Sequence, residues 1–172
     1  MEFMVDTILI YGEGFIGSSL YEFFKNQGKN VLIRRLDTSS SLLKERKFLT
    51  DNNILVIVNA TGGSSVGKSV ADPLRDFDSN VKTVMYLKYL LENLDLKTRL
   101  VHFSSAAVYG EQASDLAEPA LSPYARHKIL AEELLTSSME PSRLCIVRPF
   151  SIYGVSMTKQ VVWDTFNKLN TD

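Results

Sequence analysis

The chain has 172 residues, 45% of them apolar and 23% charged, with a formal net charge of −1. That is enough for one domain with a sizeable core, and neither half carries the basic block that a nucleic acid or an anionic membrane surface attracts. The single cysteine, Cys145, excludes an internal disulfide and a cysteine-based metal cluster.

No stretch approaches the ~20 apolar residues that cross a bilayer. Met1-Glu2-Phe3 does not open a signal peptide, so a cytoplasmic location is expected. From the N-terminus, Thr7–Tyr11 is a short apolar run that ends at glycines, which predicts a buried strand. Residues 15–26 predict a helix with Ile16, Leu20, Phe23 and Phe24 on one face, and Gly28 stops it. Strand character resumes at 31–33, and 39–50 carries a weak helical stripe of Leu42, Leu43, Phe48 and Leu49. The run 54–58 (ILVIV) is continuous and β-branched, as expected of a strand covered on both faces.

Asp72-Pro73 supplies an N-cap and a first-turn proline. The helix after it, to about residue 94, shows Phe77, Val81, Val84, Leu87, Leu91 and Leu94 at helical spacing. Another strand follows at 100–103. Ser122-Pro123 repeats the capping device before a helix over 122–138 that carries Ile129, Leu130, Leu134 and Leu135. Leu144–Val147 is a further strand, in which Cys145 reads as a buried, inert thiol, and 161–169 begins one more helix. Strands alternating with helices predict an α/β domain over 1–172, with a doubly wound parallel sheet.

Gly12-Glu13-Gly14-Phe15-Ile16-Gly17 is a G-x-G-x-x-G segment between the first strand and the first helix. Glycine there permits a tight turn and lets backbone approach a pyrophosphate, which the new helix meets with free N–H groups. The choice of dinucleotide is expected at the end of the second strand, where an acid binds the adenosine ribose of NAD and an arginine accepts the 2′-phosphate of NADP. Arg34 and Arg35 favour NADP, while Asp37 keeps NAD open, and both arginines could instead be solvated.

Tyr124 and Lys128 lie four apart on one helix face. A neighbouring ammonium lowers a phenol's pKa and lets it shuttle protons. Ser105 follows the 100–103 strand, at the sheet end where α/β proteins place ligands. His102 and His127 have no acidic or cysteine partner at ligand spacing, so no metal site is expected. His127, Glu132 and Glu133 read as solvated polar-face residues.

These motifs, together with Asn59-Ala60-Thr61-Gly62-Gly63, Asn80-Val81, Val108-Tyr109-Gly110 and Arg148-Pro149-Phe150, span nearly the whole chain. On them the sequence resembles the extended short-chain dehydrogenase/reductases, the group that holds the UDP-galactose 4-epimerase-like enzymes. The resemblance implies a Rossmann-type fold, NADP or NAD as cofactor, a nucleotide-sugar substrate, and a homodimer through the helices at about 73–94 and 122–138. It implies that Tyr124 is the proton donor and acceptor, that Lys128 holds the nicotinamide ribose, and that Ser105 binds the reacting oxygen. Asn80 would support the site. Gly12, Gly14, Phe15, Ile16, Gly17, Ala60, Thr61, Gly62 and Pro149 would border the cofactor.

The pattern departs from that family in four places. Tyr11 replaces an earlier loop glycine, and Glu13 replaces a small residue, where a carboxylate near a pyrophosphate is unfavourable unless it points to solvent, which counts against cofactor affinity. Too few residues separate the second strand from ILVIV for the usual helix, strand and helix, so a single helix is expected. Ala106 and Ala107 stand where 4,6-dehydratases carry an Asp-Glu pair, which leaves epimerase or reductase chemistry. Residues 151–172 only begin the region of the substrate domain, which is expected to be largely absent. A non-catalytic dinucleotide-binding module, acting as sensor or scaffold, is therefore the alternative reading.

Overall fold

Five apolar runs form the strands β1 (Thr7–Tyr11), β2 (Val31–Arg34), β3 (Ile54–Asn59), β4 (Arg99–Phe103) and β5 (Leu144–Val147). The structure, a computed structural model, describes residues 6–92, 98–110, 121–155, 157 and 160–169. All strand pairs are parallel, in the order β2-β1-β3-β4-β5. The connections contain α1 (Phe15–Asn26), α2 (Leu42–Asp51), α3 (Val66–Ala71), α4 (Pro73–Phe77), α5 (Thr83–Glu92) and α6 (Pro123–Thr136), with α7 (Gln160–Leu169) after β5.

Successive strand residues face opposite sides of a sheet, and β1 is completely buried at Leu9, Ile10 and Tyr11. Leu9 and Tyr11 join one core with Leu49 of α2, Val84, Leu87, Leu90 and Leu91 of α5, and Ala131 and Leu135 of α6. Ile10 turns the other way, towards Gly17 of α1. This is the Rossmann-type doubly wound sheet expected from the sequence. Only α2 joins β2 to β3, so the strand that would lie outside β2 is missing and β2 is the sheet's edge. The chain leaves β1 for β2 and returns across it to β3. The resulting switch point, at the carboxyl ends of β1 and β3, is where such sheets hold ligands.

Several sequence expectations need correction. The long helix is continuous only through a π-helical turn at Asp78–Lys82 between α4 and α5, and Leu94 lies outside the described residues. Phe23, Leu43 and Leu130 are exposed. The buried face of α6 carries Tyr124, Ala125, Lys128, Ala131, Glu132 and Leu135, because that face covers polar groups at the strand ends as well as core. Cys145 is exposed, not buried: β5 is the other edge strand of the sheet, and none of its residues is fully buried. Among the described residues no helix is long and apolar enough to cross a membrane.

Candidate active site

A cleft of about 1130 Å³ opens at the carboxyl ends of β1, β3 and β4. Its walls come from the glycine loop (Gly14, Phe15, Ile16), the loop after β3 (Ala60, Thr61, Gly62), Ser105, Tyr124, Lys128 and Pro149. The glycines are there for contact. A Cβ on Gly12, whose φ is +111°, would lie 2.6 Å from the Ala60 carbonyl oxygen. One on Gly17 would lie 1.7 Å from the Gly12 carbonyl oxygen, so α1 rests directly on the loop. Gly14 caps α1 without a side-chain hydrogen bond, and a Cβ there would meet nothing within 4 Å. The first turn of α1 thus borders the cleft with no side-chain cap, the arrangement a pyrophosphate requires. In this respect the residues fit a dinucleotide.

The loop after β3 is held by a buried polar pair. Asn59 Oδ1 accepts hydrogen bonds from the Thr61 N–H (3.2 Å) and hydroxyl (2.6 Å). Asn59 Nδ2 donates to His102 Nδ1 at 3.0 Å, which places the imidazole proton on Nε2. Burial pushes the His102 pKa down to about 3, with the Lys128 charge adding to the effect, so the ring is neutral. The sequence marked His102 only as a poor metal ligand. Its partner lies 43 residues away on the neighbouring strand, and register alone pairs them. Among the described residues no cluster of three or more His, Cys, Asp or Glu is placed to hold a metal.

Tyr124 and Lys128 come from the first turns of α6, which Ser122 opens by accepting the Ala125 N–H at 3.2 Å. Lys128 is 3% exposed, and Nζ donates to the Phe103 carbonyl at 3.1 Å. Burial pulls its pKa down to about 8, against the opposing pull of Asp76 and Glu132. The Tyr124 N–H donates to Ser69 Oγ at 3.1 Å, which fixes the start of the helix. The sequence predicted a lowered phenol pKa for Tyr124. In the structure burial raises it, and the hydrogen bond with Ser105 opposes the rise only in part. The ammonium, 5.8 Å from the ring centroid, does not reverse that balance. Ser105 is oriented by the Ala107 N–H (3.1 Å), and the Ala106 N–H ties the same turn to the Pro149 carbonyl (2.9 Å).

Asn80 sits in the π turn, whose extra residue directs it inwards. Its Nδ2 donates to both the backbone and the carboxylate of Asp76 at 3.1 Å. Its Oδ1 is buried against Gly62, where a Cβ would approach to 2.4 Å, and has no partner among the described residues. Asp76 also bonds His127 Nδ1 at 2.7 Å, so His127 is a half-buried tether and not a solvated residue. Glu132 is likewise buried, at 8% exposure. It accepts from Ser104 Oγ at 2.5 Å and from Arg148 Nε at 3.0 Å, bracing the ends of β4 and β5 against α6. Glu133 alone of these three is exposed as expected.

The end of β2 differs most from the sequence reading. Arg34 turns inwards, 3.3 Å from Glu45 and 4.2 Å from the Phe48 ring centroid. The Tyr11 hydroxyl donates to the same Glu45. Tyr11 and Arg34 thus share one buried carboxylate, while 35% of the Arg34 side chain stays exposed. Arg35 stays on the surface, with Nε 2.9 Å from Glu13 Oε2. The Asp37 carboxylate accepts from the N–H (2.9 Å) and hydroxyl (2.6 Å) of Ser39.

A parallel sheet with a glycine loop and a cleft at its switch point defines the class of dinucleotide-binding α/β domains. The chain belongs to the NAD dependent epimerase/dehydratase family, whose model matches residues 8–166. It is 31% identical over 176 residues to UDP-glucose 4-epimerase from Bacillus subtilis, covering 83% of this chain and 51% of that protein. The UDP-glucose 4-epimerase of Mycoplasma genitalium is 28% identical over 177 residues, covering 85% and 52%. The chain therefore spans about half the length of the curated relatives it matches. Among solved structures, a dTDP-4-dehydrorhamnose reductase from Clostridium acetobutylicum superposes with a TM-score of 0.78 at 21% identity, covering 96% of this chain and 60% of that one. UDP-glucuronic acid 4-epimerase from Bacillus cereus, in complex with UDP-glucuronic acid and NAD, gives 0.75 at 22% identity, covering 96% and 63%.

Proposed function

We propose that this chain binds a nicotinamide dinucleotide and carries the acid/base group of a nucleotide-sugar epimerase or reductase. The observation that carries the reading is the convergence of Ser105, Tyr124 and Lys128 on the cleft that the glycine loop opens. The dinucleotide, when bound, supplies the acceptor or donor of hydride. Tyr124 exchanges a proton with the sugar oxygen, and Ser105 hydrogen-bonds that oxygen. Lys128 binds the nicotinamide ribose and makes the phenolate less costly. Asn80 offers its unpartnered Oδ1 beside Gly62, and Pro149 borders the nicotinamide. Ala106 and Ala107 line the cleft without a carboxylate, which favours epimerase or reductase over dehydratase chemistry. The relatives' names support a UDP-sugar as substrate.

Exposed Leu74, Met85, Tyr89 and Leu130 on α4, α5 and α6 support a homodimer through these helices. The two arginines pointed to NADP, but Arg34 pairs with the buried Glu45 and Arg35 is the more exposed of the two. A non-catalytic module is the second reading, favoured by the Glu13 carboxylate, which lines the cleft beside the glycine loop. The test is Tyr124→Phe. Dinucleotide affinity, followed by nicotinamide fluorescence, stays within about twofold, while hydride exchange with UDP-hexoses at 340 nm disappears. Undiminished exchange overturns the tyrosine assignment, and a wild-type chain that binds cofactor without exchange supports the module.

A further inference from the structure

We propose that Glu13 sets the choice between the two dinucleotides by holding Arg35, so that the site accepts an adenosine 2′-hydroxyl and offers a 2′-phosphate no net attraction. The inference rests on the dinucleotide reading above. In a switch-point site the adenosine ribose lies between the glycine loop and the end of the second strand. Glu13 belongs to the first and Arg35 to the second, and their 2.9 Å ion pair spans that gap.

Backbone contacts keep the two residues side by side. Tyr11 is in register with Arg34, and the Gly12 N–H donates to the Arg34 carbonyl at 3.1 Å. Ser18 Oγ donates to the Glu13 carbonyl at 3.1 Å. Of the other charged groups at this strand end, Arg34 pairs with Glu45, and Asp37 is held by Ser39. A substituent on the ribose therefore meets Glu13 and Arg35, whose side chains are 45% and 87% exposed.

The two dinucleotides differ at this point by a charge of about −1.5 to −2. An arginine with no carboxylate beside it would attract that phosphate. Here the Glu13 carboxylate beside Arg35 cancels that attraction. In surface water at roughly 5 Å that lost attraction is worth about tenfold in affinity. A 2′-hydroxyl carries no charge and can donate to the same carboxylate. Two adjacent arginines thus point to NADP in the sequence, and one glutamate, 22 positions before Arg35, cancels the signal in the fold.

The experiment titrates the 172-residue chain with NADH and NADPH, and with ADP and 2′,5′-ADP as probes of the adenosine end. Wild type is expected to bind NADH at least as tightly as NADPH. Glu13→Gln improves NADPH and 2′,5′-ADP about tenfold and changes NADH less than about threefold. Adding Arg35→Ala to Glu13→Gln removes that gain. Cofactor binding with an unchanged NADPH/NADH ratio in Glu13→Gln, or a wild type that prefers NADPH tenfold, overturns the role of Glu13 and leaves the dinucleotide reading standing. Binding of neither dinucleotide by wild type or variant overturns both.

Discussion

Lys128 keeps an ammonium where only 3% of the residue meets solvent, and donates to the Phe103 carbonyl. Burial lowers its pKa from the ordinary 10.5 to about 8. Because the folded value lies below the unfolded one, the unfolded chain holds the extra proton between pH 8 and 10.5. Stability must then rise with pH across that window. The linkage amounts to about 2 kcal/mol between pH 7 and 9.5. Lys128→Met removes the buried charge and leaves the neighbours paired: Asp76 keeps His127 and Asn80, and Glu132 keeps Arg148 and Ser104. The variant is expected to be about 1–3 kcal/mol more stable than wild type at pH 7, since the pKa displacement corresponds to about 3 kcal/mol and the lost hydrogen bond offsets part of it. Urea unfolding of both proteins at pH 7 and 9.5 measures this, with a midpoint shift of roughly 1 M expected at pH 7 and much less at pH 9.5. A variant less stable than wild type at pH 7, with the same pH dependence, would show that Lys128 is a structural ion-pair partner and not a strained functional group.

Two further outcomes follow from the same geometry. Gly17→Ala would drive a methyl group into the Gly12 carbonyl at 1.7 Å, a backbone atom that cannot step aside. Unfolding free energy should fall by about 2–4 kcal/mol by denaturant titration, and dinucleotide binding should be lost in whatever folds; a near-neutral variant refutes the close contact. His102 has a folded pKa of about 3 against an ordinary 6.5, so its contribution is intact above pH 6.5 and is lost as pH falls towards 3. Between pH 6.5 and 4.5 wild type should lose about 2 kcal/mol more than His102→Asn in parallel denaturation curves, and equal losses would mean that the imidazole is not buried neutral.

Much of the framework was readable residue by residue. Continuous runs such as ILVIV mean strands covered on both faces, and the capping serine and aspartate before Pro73 and Pro123 mark helix starts through bonds a few residues long. The short stretch between residues 34 and 54 cannot hold helix, strand and helix, so the missing outer strand was a matter of length. Tyr124 and Lys128 share a helix face by spacing alone. Composition and period decide these features because they depend on local geometry and on which side of an element is apolar.

Partners were decided only by tertiary structure. Arg34 reads like its neighbour Arg35, yet β1 brings Tyr11 beside it and α2 brings Glu45, and the charge turns inwards. Glu132 looked solvated on its helix until the ends of β4 and β5 supplied Ser104 and Arg148. His127 found Asp76 at a separation of 51 residues, and Asn59 found His102 at 43. Cys145 looked buried because its neighbours are apolar, and the strand order put it on an open edge. A charged or polar side chain is stabilised by whichever group the fold brings within about 3 Å, and the periodicity of a single chain segment holds no information about that group.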